Sequence, residues 1–296
     1  MTQYILEHAN ASAQKMVQEH HGNGSAKPNY NIEAKDIRVL MYHRIVSNKV
    51  TSKDNGFSVH QDIFRKQLQT IDRWGYTTIT FVDYNLYLRG KIKLPKKPII
   101  ITIDDGYLDT YTLAYPVLQE FGMKAVIYVI GDPKLDYNKW DEDKMNAPAK
   151  LMNRDQIKEL HREGHEIGAH TLTHPDLRSL SLEKANQEIL MSREVLQQEL
   201  GTAPISFCYP YGGSTPQTVE LVKESGFQFA CSVDKGPVEF GKSPYLIRRI
   251  AVRNNMIEFA LRLKIPLRWI DLAKKFMTTS NFKDSEQVSK LRLHKS

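Results

Sequence analysis

Pro98-Ile-Ile-Ile-Thr-Ile-Asp-Asp-Gly106 is the stretch on which the reading of this chain turns. Its apolar run, Ile99 to Ile103, predicts a strand buried on both faces. The run stops at two adjacent carboxylates, Asp104 and Asp105, followed by Gly106. Like charges side by side destabilise each other's ionised form wherever they are even partly buried. A cation beside them removes that cost. The plainer alternative is a strand that ends in an Asp-Gly turn, since both residues favour turns.

A second stretch bears on the choice, Gly168-Ala-His-Thr-Leu-Thr-His174. His170 and His174 are four positions apart. On a helical turn that spacing puts both imidazoles on one face. On a loop both still reach a single ion. Histidine is the commonest metal ligand, and two His with one carboxylate leave a tetrahedral ion the open position of a catalytic site. The alternative is a solvated surface pair.

Taken in order, Thr102-Ile-Asp-Asp-Gly106, His170-Thr-Leu-Thr-His174 and Phe207-Cys-Tyr-Pro-Tyr-Gly212 resemble the motifs of the NodB-type polysaccharide deacetylases, carbohydrate esterase family four. Leu40-Met-Tyr-His-Arg-Ile45, Gly75-Tyr-Thr-Thr-Ile-Thr80 and Arg249-Ile-Ala-Val252 resemble more closely the branch that deacetylates poly-N-acetylglucosamine. The resemblance runs from about Arg38 to Val252. It implies an α/β fold, a distorted (β/α) barrel of mainly parallel strands with outer helices. It implies a hydrolase that removes N-acetyl groups from N-acetylhexosamine residues of a glycan and releases acetate. It also implies a divalent metal, zinc first, with Co²⁺, Ni²⁺ or Fe²⁺ as alternatives.

Carried over residue by residue, the resemblance makes Asp105, His170 and His174 the metal ligands and Asp104 the general base. The backbone N–H of Tyr211 would help bind the oxyanion, and Tyr107, Pro210 and Gly212 would contact substrate. One departure matters. Many relatives carry an arginine where this chain has Cys208, and that arginine orients the catalytic Asp. Arg249 is the candidate replacement, with Arg248 adjacent. Cys208 itself is expected to be a small buried thiol, with metal ligation as the alternative.

His43 ends the apolar strand Arg38-Val-Leu-Met-Tyr42. On the residue alone it could be a strand cap. The resemblance gives it the role of general acid, which other branches take from a late Leu-x-His-type motif absent here. Geometry agrees: if the strands before His43 and Asp104 are parallel members of one barrel, both open onto the same face. His161 and His165 fall on or just after a helix and fit worse.

Composition describes an ordinary globular protein, with 41% hydrophobic and 25% charged residues in 296 positions. Lys and Arg number 41 against 34 Asp and Glu, a net charge of +7. This suits an anionic partner or a membrane surface. The charges are spread along the chain and no nucleic-acid-binding motif is present, so no nucleic-acid partner is expected. Two cysteines, Cys208 and Cys231, make no disulfide framework. No apolar run approaches the ~18 residues of a membrane span, and residues 1–28 show no signal-peptide core. Cytoplasmic localisation is the expectation. Oligomeric state is not legible.

The chain divides into an N-terminal appendage (1–34), a catalytic domain (35–252) and a basic amphipathic C-terminal segment (253–296). Strands are expected at 76–81, 124–130, 166–169, 206–209 and 229–233. Helices are expected at about 57–75, 82–89, 108–121, 157–163, 181–200 and 215–225. The alternation predicts a parallel sheet with helices outside and puts the site segments on one face. The loop 131–149 is long for a compact domain and marks function or mobility. In the last segment Trp269, Leu272, Ala273 and Phe276 form a stripe beside Arg268, Lys274 and Lys275. It reads either as a helix packed on the domain or as a peripheral membrane contact. Two rival functions stay in view: an amidase for a small non-glycan amide, and a glycan-binding module with an inactive site.

Overall fold

The computed structural model describes residues 37–48, 56–141, 148–233 and 243–264. The predicted appendage at 1–34 and all but the start of the C-terminal segment, including its aromatic stripe, lie outside the described residues.

In chain order the elements are β1 (Arg38–Tyr42), β2 (Arg44–Val46), β3 (Ser58–His60), α1 (Gln61–Arg73), β4 (Thr77–Thr78), α2 (Phe81–Leu88), β5 (Pro98–Ile103), α3 (Tyr115–Glu120), β6 (Val126–Val129), α4 (Arg154–Arg162), β7 (Glu166–Ala169), α5 (Leu182–Leu200), β8 (Ser206–Cys208), α6 (Pro216–Glu224), β9 (Phe229–Ser232), β10 (Ile247–Arg248), β11 (Ile250–Ala251) and α7 (Met256–Arg262).

The main sheet runs β10-β9-β8-β7-β6-β5-β1-β11, with β4 also on β5. Every pairing in it is parallel. Its two ends, β10 and β11, are one residue apart in the chain. A single extended segment therefore pairs first with β9 and then with β1, and nearly closes the barrel at Arg249. The expected distorted (β/α) barrel with helices outside is the fold.

Strand alternation sorts the side chains. Val39, Ile100, Val126, Tyr128, Cys208, Cys231 and Ile247 pack together as the barrel interior. Their neighbours Leu40, Ile101, Ile127, Phe207 and Ala230 face outward and share a larger core with Phe64, Leu68, Ile71, Leu160, Ile189 and Val222 of the helices. Both faces of β5 are thus buried, as its unbroken apolar run requires. Phe81 and Tyr84 join the interior cluster, so α2 closes the barrel end at which the strands begin.

Two predicted elements differ. The strand expected at 76–81 is two residues long. Thr80 instead forms a reciprocal capping box with Asp83, which draws Phe81 into helix α2. The helix expected at 108–121 begins with a π-turn over Thr110–Ala114 before α3, and Pro116 stands in the first turn of α3. Asn153 and Gln156 form a reciprocal capping box at the start of α4.

Gly168 points into the barrel. A Cβ there would lie 2.4 Å from Cε1 of Tyr128 and 2.8 Å from Oγ of Ser206. Gly168→Ala is expected to lower stability by about 1–3 kcal/mol through overpacking, read from the denaturant midpoint. An unchanged midpoint would mean that the Tyr128 ring can move aside freely.

Candidate active site

Asp104 follows β5 in phase with Ile100 and Thr102, so its carboxylate enters the barrel mouth. It is 2% exposed. Simple alternation would turn Asp105 away. It does not, because Asp105 takes left-handed backbone (φ 73°) and Gly106 follows it there (φ 70°). The two carboxylates therefore converge. Thr171, His174 and Tyr211 also have positive φ, and among the described non-glycine residues Lys264 alone shares this away from the site. Strained backbone gathers where function needs a fixed geometry.

His170 lies just beyond β7 and His174 on the loop after it, not on a helix. Nδ1 of His170 is 2.7 Å from the carbonyl oxygen of Cys208. A carbonyl can only accept, so Nδ1 carries the hydrogen. The lone pair on Nε2 then faces Oδ1 of Asp105 at 3.1 Å. Nε2 of His174 is 3.4 Å from the same oxygen. Acceptors this close in a buried site require a proton or a cation between them. Burial disfavours a charged His170 ring, yet Cys208 and Asp105 together hold its pKa well above the usual imidazole range. Burial likewise pushes the Asp105 carboxyl up, and hydrogen bonds from His170 and His174 overturn this and keep it well below the carboxylate range. A divalent ion satisfies the same acceptors without a proton. The three ligand atoms lie within 4.8 Å of one another, so the donor set fits a first-row metal. Asp104, His170 and Cys208 form a second such group. It fits less well: burial raises the Cys208 thiol pKa, and Asp104 is engaged elsewhere.

That engagement is Arg249. Its Nη1 donates to Oδ1 of Asp104 at 2.6 Å and its Nη2 to Oδ2 at 2.7 Å, a two-pronged pair. Nη1 also donates to Oγ1 of Thr102 at 2.9 Å, and Nη2 lies 3.1 Å from Sγ of Cys208. The small thiol leaves room for the guanidinium. Burial works to raise the Asp104 carboxyl, and the Arg249 charge outweighs it, holding the group below its ordinary value. Of the adjacent arginines it is thus Arg249, 8% exposed, whose side chain meets Asp104.

Tyr42 pairs with Ile103 in the β1–β5 register. The next residues, His43 and Asp104, therefore emerge side by side, with Nε2 of His43 3.8 Å from Oδ2 of Asp104. His43 is half-buried against Phe57. Tyr211 sits on the turn after β8 with an exposed ring set edge-on to His174. Tyr107, Pro210 and Gly212 are all buried. Burial and then the nearby Asp105 charge push the Tyr107 phenol up, and a Cβ on Gly212 would lie 1.9 Å from Cγ2 of Val233.

Trp140 was not foreseen. Its ring stacks on His174 at 4.4 Å and 25°. The loop that carries it is pinned by Asn138, whose N–H donates to the Ala149 carbonyl and whose side-chain oxygen accepts from the Ala149 N–H at 2.6 Å. An aromatic residue in the long polar loop after β6 was the one available signal.

The parallel barrel and its paired carboxylates and histidines define a carbohydrate deacetylase. Residues 91–230 match the family model described as Polysaccharide deacetylase, so the chain carries a polysaccharide deacetylase domain. It is 28% identical to YxkH of Bacillus subtilis over 74% of this chain and 72% of that protein. It is 24% identical to the poly-beta-1,6-N-acetyl-D-glucosamine N-deacetylase of Staphylococcus aureus, over 75% of this chain and 81% of the relative. Its fold is similar to that of the Streptococcus pyogenes deacetylase PplD, solved in complex with acetate. The TM-score is 0.65 at 24% identity, covering 78% of this chain and 98% of the other.

Because Arg249 holds Asp104 ionised against its burial, weakening the fork raises the Asp104 pKa. Arg249→Lys is expected to move the acidic limb of the kcat/KM profile to higher pH, since activity that needs the carboxylate is lost as pH falls through that pKa. An unmoved limb would detach Arg249 from Asp104's titration.

Proposed function

We propose that this chain is a metal-dependent N-deacetylase acting on N-acetylhexosamine residues of a polysaccharide. The observation that carries the reading is the meeting, at one barrel mouth, of a tethered carboxylate (Asp104), a histidine beside it (His43) and the acceptor set of Asp105, His170 and His174.

Amide hydrolysis needs an activated water, a stabilised oxyanion and a proton for the leaving amine. Asp105, His170 and His174 would hold the ion, which would polarise the acetyl carbonyl and acidify water at the site. Asp104 takes the proton of the attacking water. Its two oxygens each keep a lone pair beyond the bond to Arg249, so tethering does not exhaust its capacity as a base. Arg249 fixes the direction from which that proton is taken. The Tyr211 backbone N–H helps bind the oxyanion. His43, beside Asp104, delivers a proton to the amine nitrogen as the C–N bond breaks. Trp140 stacks on the His174 ring and Tyr211 meets it edge-on, and these contacts fix its orientation. The similarity to a poly-N-acetylglucosamine deacetylase supports a β-linked N-acetylglucosamine polymer as substrate.

Acetate release from a panel of acetylated oligosaccharides tests the reading. A chelator is expected to abolish it, and Zn²⁺ or Co²⁺ to restore it. Asp104→Asn is expected to retain metal and lose about 10²- to 10⁴-fold in rate. Activity in a metal-free preparation, or metal loss from Asp104→Asn with retention in Asp105→Asn, would refute this division of roles.

His43→Asn is expected to lower kcat by about 10²-fold or more at unchanged metal content. The alkaline limb of the pH–rate profile, which reports deprotonation of the acid, should disappear with it. Near-normal turnover would return His43 to the role of a strand cap.

A further inference from the structure

The barrel end opposite the site carries its own chemistry. Helix α2 lies across it, with Phe81 and Tyr84 turned inward against Ile79, Ile100 and Phe229. The main-chain N–H of Val82 donates to the buried Glu166 at 3.0 Å, which fixes the helix to strand β7. The other side of α2 presents Val82 and Leu86, 43% and 36% exposed. Four positions apart, they share one helical face.

The helix ends at Gly90, which takes left-handed backbone. The Lys91 N–H then donates to the Leu86 carbonyl at 2.9 Å. This turns the following loop back over the helix end and brings in Ile92, 38% exposed. From 89 to 97 the chain reads Arg-Gly-Lys-Ile-Lys-Leu-Pro-Lys-Lys, five basic residues and no acid. All five are exposed. The acid of α2, Asp83, is occupied by its capping bond to the Thr80 N–H at 2.8 Å. Lys97 leans back, donating to the Trp74 carbonyl at 2.9 Å, while Lys91, Lys93 and Lys96 face solvent.

We propose that this end of the barrel docks on an anionic lipid surface. Cations alone would serve any polyanion. Exposed aliphatic side chains among the cations suit a bilayer, where the ammonium groups meet lipid phosphates and Val82, Leu86 and Ile92 enter the headgroup boundary. The contact is peripheral, since no described helix is long and apolar enough to cross a membrane. Strand β5 fixes the orientation. Lys96 and Lys97 precede its first residue and Asp104 and Asp105 follow its last. Six residues of strand separate the pairs by roughly 20 Å. A barrel seated this way turns its catalytic mouth away from the lipid, towards a polymer in the aqueous phase.

The test is sedimentation of the full chain with phosphatidylcholine vesicles, with and without added phosphatidylglycerol. Binding is expected with the anionic vesicles alone and should weaken as salt rises. Each basic side chain near such a surface contributes about fivefold. The variant combining Lys91→Ala, Lys93→Ala and Lys96→Ala should therefore lose on the order of 10²-fold in partitioning. Leu86→Gln with Ile92→Gln should also weaken vesicle binding, while retention on a heparin column stays unchanged. Neither variant touches the site, so acetate release from a soluble oligosaccharide is expected to remain at the wild-type rate. Equal binding to neutral vesicles, or undiminished binding by the lysine variant, overturns the proposal. A heparin-binding protein whose vesicle binding ignores the aliphatic changes overturns it too, and makes the patch a site for soluble polyanions.

Discussion

Two adjacent carboxylates, both buried, are the constraint from which the rest of this site follows. Neither Asp104 nor Asp105 can stay ionised in a barrel mouth without positive charge close by. The fold answers them separately. Asp104 receives the guanidinium of Arg249 in two-pronged contact. Asp105 receives the nitrogen atoms of His170 and His174 and, in the proposed mechanism, the ion they hold. The answers are not interchangeable. A fixed side-chain charge orients a base and cannot be exchanged. A bound ion leaves a position open to water and substrate. Left-handed backbone at Asp105 makes the separation geometrically feasible, because it swings the second carboxylate out of strand alternation and beside the histidines.

Arg249 ties this arrangement to the architecture. It is the residue between β10 and β11, where one segment leaves β9 and joins β1. The barrel seam and the countercharge of Asp104, the proposed base, are therefore the same residue. Losing one partner of a buried pair typically costs about 3–5 kcal/mol, because the other charge stays behind without compensation. At Asp104 that cost would fall on the strand contacts that close the barrel as well as on the base. Cys208 belongs to this arrangement through its size. Its thiol lies under the guanidinium at 3.1 Å, in space that a longer side chain on β8 would fill.

The parts of the fold most legible in the sequence were those written in short local patterns. The run Ile99 to Ile103, the Asp pair and the His pair each declare their chemistry within a few residues. The capping pattern Asn153-Arg-Asp-Gln156 does the same for the start of α4. Three things were not legible from the residues alone. Pairing across 145 positions, Arg249 with Asp104, was narrowed by resemblance to two neighbouring arginines and separated by burial. Backbone sign at Asp105, Thr171 and His174 has no local signal, since Asp, Thr and His mostly adopt negative φ. Trp140 lies in a polar loop without period, and only the fold after β6 brings it onto His174. The β-branched run Thr77 to Ile79 misled for a related reason: the cap formed by Thr80 and Asp83 competes with strand extension and prevails.

The two ends of the barrel differ in how they treat charge. At the mouth, acidic and basic groups are buried, paired and held by strained backbone. At the base, Glu166 is buried, bonded to Ser206 at 2.5 Å and to the start of α2, and the charges of the loop before β5 are exposed and all positive. Strand β7 links the ends directly, with Glu166 at its start and His170 just beyond its finish. A disturbance that shifted α2 would thus act on the strand that positions the proposed metal ligand His170, through four buried residues. Rigid strands of this kind hold a site steady against forces at the far face. A barrel whose catalytic groups sit on strand ends can therefore present one end to a partner surface without that contact deforming the other.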